Sequence, residues 1–376
     1  MVVVVMAPDS FKSTATAARV AAVLAEGWRR VRPADDVRCL PMADGGEGTI
    51  DAFEAVGDTQ RVAIEVRGPD DRAVATSWLR FLDAEGRRTA VVELASTSGI
   101  TLLQALRPHE AHTRGFGQAI RAAVSSGVDR LVLAIGGSAS TDAGMGMLAE
   151  LGVRFFDAEG SAVPDGLRGL DAVRRVDFSD ALALPSDTVV VCDVTSGLCG
   201  PEGAVFGFGA QKGLGMAERD EAERAVRDFA RVVEAARPGR ADASAPGAGA
   251  AGGVGFALTA LGVRPGAGAP TVARALGLSR ALTGAALAVT GEGRFDEQSA
   301  WGKVPGFIAD RARVAGAAVA VVAGAIAAST GEFDAAVALA DLAPSPAEAM
   351  ADPERWIRES AELLARHFDT MWGTVR

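Results

Sequence analysis

An apolar strand that breaks abruptly into a glycine- and hydroxyl-rich loop constrains this chain more than any other feature. Leu131-Val132-Leu133-Ala134-Ile135 runs into Gly136-Gly137-Ser138-Ala139-Ser140-Thr141-Asp142-Ala143-Gly144-Met145-Gly146, and a helix-like segment follows. Backbone N–H groups in such a loop carry no side-chain screen. They can cradle phosphate oxygens, and the start of the following helix adds positive potential. Several loops of this kind punctuate the chain, most of them with carboxylates and lysines, and the repetition points to phosphoryl-transfer chemistry.

The strand–loop–helix alternation is clearest at the two ends. Val2 to Met6 is a β-branched run suited to a buried strand. The loop Ala7-Pro8-Asp9-Ser10-Phe11-Lys12-Ser13 follows, and then a helix from about Thr14 with Val20, Val23, Leu24, Trp28 and Val31 at helical spacing. Arg38 to Met42 reads as a second strand ending in Ala43-Asp44-Gly45-Gly46-Glu47-Gly48-Thr49. From Leu287 the pattern returns: Leu287 to Thr290 leads into a glycine loop, and Ala317 to Ala323 is another buried strand. A helix around Trp356 to Phe368 closes the chain. Such alternation builds a parallel sheet covered by helices, with ligands at the carboxyl ends of its strands.

The middle differs. Val62 to Val66 and Ser77 to Leu82 read as antiparallel strands, with a turn at Asp83-Ala84-Glu85-Gly86. Met216 to Ala236 is an amphipathic helix, and Pro238 to Gly253 is rich in Pro, Gly, Ala and Ser. The expected fold class is α/β in two domains. A doubly wound parallel-sheet domain comes from both chain ends (residues 1–62 and 286–376), and a mixed α+β domain (63–285) is inserted between them. A length of 376 residues agrees with two domains.

Composition removes several classes of function. The 45 glycines cluster in loops without a short period, unlike a collagen-like or disordered chain. A formal net charge of −10 with no long basic block argues against a nucleic-acid partner. Three cysteines, Cys39, Cys192 and Cys199, give no disulfide framework and fit a reducing cytosol. Val2 to Met6 is too short for a signal-peptide core, and the low-polarity stretch Ala315 to Ala328 falls short of the roughly 20 residues a spanning helix needs. The expectation is a cytoplasmic protein that binds no membrane.

Five loops carry chemistry-bearing residues, and each has a plainer reading. Ser10 and Lys12 can bind phosphate or serve as a helix cap and a solvated lysine. Asp44 and Glu47 can bind Mg²⁺ or orient a hydroxyl, or they can cap a helix beside a tight turn. Asp193, at the end of the strand Thr188 to Val191, can be a metal ligand, a base or a corner cap. Gln211 and Lys212 sit between glycines, where a solvated lysine is the plain reading. The fifth loop is dense in charge: Glu292, Arg294, Asp296, Gln298 and Lys303 follow the strand ending at Thr290. There Arg294 or Lys303 can bind a carboxylate or phosphate, and Asp296 can hold a cation.

Other motifs fail on context. Gly247-Ala248-Gly249-Ala250-Ala251-Gly252 matches a dinucleotide fingerprint literally but follows a polar stretch instead of a strand, so it reads as a linker. Gly302-Lys303 lacks the rest of a Walker P-loop. His109 and His112 have no Cys/His cluster around them to support a zinc site.

Read in order, the loops are Ala-Pro-Asp-Ser-Phe-Lys, Ala-Asp-Gly-Gly-Glu-Gly-Thr, Ile-Gly-Gly-Ser-Ala, Asp-Val-Thr, Phe-Gly-x-Gln-Lys-Gly, Gly-Ala-Gly-Ala-Ala-Gly-Gly and Thr-Gly-Glu-Gly-Arg-x-Asp-x-Gln. Together they closely resemble the bacterial glycerate kinase family, the type without a Walker motif, from Met1 to about Ala365. The resemblance implies ATP-dependent phosphorylation of D-glycerate with Mg²⁺, 2-phosphoglycerate being the favoured product. It also implies a flavodoxin-like domain from both chain ends, with the active site in the cleft beside the inserted domain. Gly247 to Gly253 then becomes a cleft loop.

Departures from the family pattern leave acidic and basic positions in place. Ser140-Thr141-Asp142-Ala143-Gly144 stands where the family usually has Thr-Asn-Asp-Gly-Gly. Ser196-Gly197 replaces Asn-Pro after Asp193-Val194-Thr195, and Ala210 replaces a proline.

The implied roles follow the chemistry of phosphoryl transfer, which is mostly positioning and charge stabilisation. Mg²⁺ is expected on carboxylates drawn from Asp193, Asp296 and Asp44. Lys12 and the N–H groups of Gly136, Gly137 and Ser138 are expected to neutralise the moving phosphoryl group. Arg294 or Lys303 would clamp the glycerate carboxylate, and Asp193 would be the base. Ser10, Glu47, Gln211, Lys212, Glu292 and Gln298 complete the expected binding set. The rival readings are a kinase for another small hydroxy acid and a non-catalytic protein that binds an acidic metabolite. A monomer or a homodimer is expected.

Overall fold

Val3, Val4 and Val5 form a strand because three β-branched side chains in succession favour the extended, two-sidedly buried backbone of a central parallel strand. The computed structural model describes residues 1–11, 14–55, 57–83, 85–300 and 303–372. In chain order the strands are β1 (Val3–Met6), β2 (Asp36–Cys39), β3 (Thr59–Arg67), β4 (Ala73–Leu82), β5 (Arg88–Glu93), β6 (Arg130–Ala134), β7 (Arg154–Phe156), β8 (Arg175–Asp177), β9 (Asp187–Cys192), β10 (Pro265–Ala267), β11 (Ala285–Phe295), β12 (Ala318–Ile326) and β13 (Ala335–Ala338).

The chain divides into two units. One comprises Met1–Asp44, Asp51–Gly57 and Gly268–Arg376; the other comprises Gly45–Ile50 and Asp58–Ala267. Residues 268–285 therefore fall with the chain ends and not with the insert. Arg38 explains part of this, since its guanidinium donates to the carbonyl of Ala281 at 2.9 Å. Conversely Gly45–Ile50 falls with the insert. The carbonyl of Gly45 accepts from the N–H of Gly136 at 2.8 Å, and a Cβ on Gly45 would lie 2.3 Å from the carbonyl oxygen of Val191.

In the terminal unit all five strands are parallel in the order β2-β1-β11-β12-β13. Renumbered by appearance this is 2-1-3-4-5, the flavodoxin-like arrangement, with its topological switch between β1 and β11. The helix Ala17–Val31 packs on the last helix, Pro353–Trp372. Trp28 meets Phe368 edge-on at 5.6 Å, and Gly27 permits the close approach, since a Cβ there would lie 2.4 Å from the carbonyl oxygen of Arg358.

The inserted unit holds a six-stranded mixed sheet in the order β10-β9-β6-β5-β4-β3. β3, β4 and β5 are antiparallel neighbours, while β5, β6, β9 and β10 run parallel. Its core gathers Leu131 and Leu133 of β6 with Phe116, Phe229 and Phe256 from the covering helices.

Several boundaries differ from the sequence expectation; the second strand, for one, is Asp36–Cys39 and not Arg38 to Met42. The first helix begins at Ala17, where the Thr16 side chain caps it by accepting from Arg19 N. The expected helix from Met216 opens as a 3₁₀ turn, Met216–Glu218, before Arg219–Ala236. Most consequentially, the glycine loop expected after Thr290 is strand: β11 continues through Gly291-Glu292-Gly293-Arg294-Phe295, in register with Val322 to Ile326 of β12. Phe295 anchors that extension, fully buried and edge-on to Phe333 at 5.5 Å.

Candidate active site

At the carboxyl ends of β1 and β11, on either side of the switch point, the terminal unit opens a cavity of about 460 Å³. Asp9 and Ser10 reach it from the loop after β1, Asp44 from the loop after β2, and Glu292 and Arg294 from the strand extension of β11. Asp296 and Lys303 follow from the next turn. Asp9 is fixed by its backbone, whose N–H donates to the carbonyl of Gly291 at 2.8 Å. Asp296 closes a local turn in which Ser299 Oγ accepts from the N–H of Asp296 at 3.0 Å. Because β11 stays extended, Glu292 and Arg294 project from alternate, same-face positions into one cavity. Six of the residues expected at a site, Ser10, Asp44, Glu292, Arg294, Asp296 and Lys303, thus line one surface, and Asp9, which was not among them, joins it.

The inserted unit builds a second constellation around Lys212. Its side chain is 3% exposed, so it is not the solvated loop lysine that its glycine neighbours suggest. The ammonium donates to Ser138 Oγ at 3.0 Å and to the carbonyl of Ser140 at 2.5 Å. Burial pushes its pKa down to about 8, against a smaller upward pull from Asp142. Three loops converge there. The turn Ala250–Gly253 carries successive left-handed residues Ala251, Gly252 and Gly253, and the carbonyl of Gly252 accepts from Ala143 N at 2.9 Å. A Cβ on Gly252 would lie 2.0 Å from the carbonyl oxygen of Ser140 and 2.9 Å from Lys212 Nζ. The Gly247–Gly253 segment is therefore a packed wall of this unit and no linker.

Asp142 organises the loop after β6. Wholly buried, it accepts from Thr113 N at 2.9 Å, Thr113 Oγ1 at 2.7 Å, Ser140 Oγ at 3.0 Å, Gly144 N at 3.2 Å and Gly146 N at 3.1 Å. This corrects the expectation of an open helix start facing a phosphate. The following helix is the short Met145–Glu150, and Asp142 already occupies the N–H groups at its entrance. Gly136 likewise gives its N–H to Gly45. Asp142 was not among the expected site residues; its place two residues before a glycine-bordered helix was the available signal.

The remaining expected residues fall as follows. Asp193 is exposed, one residue past β9; Glu47 and Gln211 are exposed. Lys12 lies outside the described residues, as does the side chain of Gln298. One sequence signal ties the set together. Of 38 Lys and Arg residues only three are lysine, Lys12, Lys212 and Lys303, and all three stand in the candidate loops. A chain that uses arginine almost everywhere else keeps the compact ammonium at these positions, where the two cations are not interchangeable.

An α/β fold with a charged cavity at a strand-end switch point belongs to a class whose members commonly bind small ligands there. Comparison sharpens that class. Residues 4–369 match the model of the glycerate kinase family. A glycerate kinase of Halalkalibacterium halodurans is 35% identical over 372 residues, 96% of this chain and 97% of that protein. The glycerate 2-kinase of Escherichia coli K12 is 38% identical over 316 residues, 82% of each. The crystal structure of a candidate glycerate kinase 2 from Salmonella typhimurium LT2 superposes with a TM-score of 0.85 at 33% identity, covering 98% of both chains. The chain belongs to the glycerate kinase family, a family of phosphotransferases. No helix among the described residues is long and apolar enough to cross a membrane.

Proposed function

We propose that the protein transfers the γ-phosphoryl group of ATP to D-glycerate, with 2-phosphoglycerate as the product. The observation that carries this reading is the strand-end cavity, in which Arg294 and Lys303 share a wall with Asp9, Asp44, Glu292 and Asp296. Cations bind the anionic groups of both reactants, and a guanidinium fork suits the planar glycerate carboxylate. The carboxylates supply hard oxygen donors of the kind Mg²⁺ takes. Among the described residues no three His, Cys, Asp or Glu side chains form a metal cage. Mg²⁺ needs only one or two protein carboxylates beside water and phosphate oxygens, and Asp44 and Asp296 of this cavity are its proposed holders. When bound, Mg²⁺ would neutralise charge on the phosphate oxygens.

Two further candidate residues belong to the inserted unit. Lys212, pinned between Ser138 and Ser140, fixes the shape of the loop after β6 and brings positive charge to it. Exposed Asp193 is the proposed base that accepts the proton of the attacking hydroxyl. Asp193→Asn should lower turnover by roughly 10²-fold or more while leaving the KM for ATP within about threefold, the usual signature of a lost acid–base group. Near-normal turnover in the folded variant removes Asp193 from that role.

A further inference from the structure

The cavity is larger than a three-carbon acid can use, and its two ends differ in chemistry. Opposite the charged end stands a shelf made by the segment after β13. Leu339 opens the short helix Leu339–Leu342, and the helix Pro346–Ala351 contributes Pro346, Ala349 and Met350. Ser345 caps that second helix by accepting from Glu348 N at 3.2 Å, and Pro353 starts the helix that follows. Leu339 and Ala349 are buried as the floor, whereas Met350 is 71% exposed although it lines the cavity. What sets Met350 apart from the other exposed apolar side chains is its place in the lining of this cavity, beside Leu339, Pro346, Ala349 and Pro353. Its unbranched thioether adapts to flat, polarisable partners. Glycerate carries no group that this shelf could cover; the phosphoryl donor carries one, its base.

The geometry points to the shelf of Leu339, Pro346, Ala349, Met350 and Pro353 as the site for the nucleobase of the phosphoryl donor, with Met350 as a specificity-determining contact. The donor then lies along the cavity, with its phosphates toward Lys303 and its base against the C-terminal segment, leaving Arg294 to the glycerate carboxylate. The inference rests on the kinase reading and adds to it where the donor, as opposed to the acceptor, is held.

The test uses the full chain and the variants Met350→Gln and Met350→Leu, both at an exposed position that folding does not depend on. Binding of ribose-labelled fluorescent ATP is titrated, and inorganic tripolyphosphate, which has phosphates but no base, competes for the site. Met350→Gln should weaken ATP about five- to tenfold, the scale of one lost apolar contact. Met350→Leu should stay within about twofold of the parent by keeping the apolar contact. Tripolyphosphate affinity and the KM for glycerate should be unchanged in both. ATP affinity unmoved by Met350→Gln, or ATP and tripolyphosphate weakened alike, overturns the shelf. Failure of the kinase reading looks different: no phosphoglycerate forms, while nucleotide binding keeps its dependence on Met350.

Discussion

Lys212 offers the sharpest physical test of the second constellation. Its ammonium is buried against Ser138 and Ser140, and desolvation brings its pKa to about 8 from an ordinary 10.5. Between those two values the unfolded chain still holds the proton that the native chain has released. Stability linked to this group therefore rises with pH, by about 1.4 kcal/mol per pH unit over that window and about 3 kcal/mol in all. Below pH 8 both states are protonated, and the native state bears the full cost of the buried charge. Two features make the measurement clean. The chain has no tyrosine, and with three lysines in total a [ε-¹³C]lysine label gives three resonances. One resonance should titrate with a midpoint near 8 and be missing from Lys212→Met. Denaturation of the two proteins at pH 7 and pH 9 should show the parent gaining more than about 1 kcal/mol on the variant. Cys39 and Cys199, whose thiols burial pushes upward (Cys199 to about 11), pull stability the other way at high pH, but they cancel in the comparison. If every lysine resonance titrates above about pH 10, Lys212 is solvated and the convergence of loops around it is misdescribed.

Further outcomes follow from the same contacts. Asp142→Asn leaves one carbonyl oxygen and an NH₂ group facing five donors, so it should lower stability by about 2–4 kcal/mol, read as a fall in melting temperature. Gly252→Ala must place a Cβ 2.0 Å from a carbonyl oxygen at a left-handed φ of 67°, whereas Gly160→Ala, at φ 84° with nothing within 4 Å, meets backbone strain alone. The first should cost at least about 3 kcal/mol and the second about 1 kcal/mol; equal losses would contradict the packing of the Gly252 turn. Arg294→Lys keeps the charge but loses the fork, and should raise the KM for glycerate about tenfold with a smaller change in kcat.

Much of the architecture was legible because buried parallel strands write themselves as continuous apolar runs. Val2 to Met6, Leu131 to Ile135 and Ala317 to Ala323 each mark a strand to within a few residues. The extension of β11 was hidden because Gly291 and Gly293 look like a loop. The missing side chain of Gly291 instead lets β12 approach: a Cβ there would sit 2.1 Å from the carbonyl oxygen of Val322. That misreading concealed why Glu292 and Arg294 face one cavity. The charged loops were identifiable as chemistry-bearing from residue type alone. What local pattern could not give was burial: Lys212 lies between flexible-looking glycines, and only the distant Ser138–Asp142 and Gly247–Gly253 loops enclose it. The membership of Gly45–Ile50 in the inserted unit was equally invisible, since it depends on a long-range contact with Gly136 and Val191.

The central claim, that this chain moves a phosphoryl group from ATP to glycerate, meets its most direct test in one reaction. Purified protein is incubated with D-glycerate, ATP and Mg²⁺, and the product is resolved between 2- and 3-phosphoglycerate. The account predicts 2-phosphoglycerate, formed in step with ADP and abolished when glycerate is left out. Tight glycerate binding with no phosphoglycerate formed, or strong preference for a larger sugar acid, would contradict it.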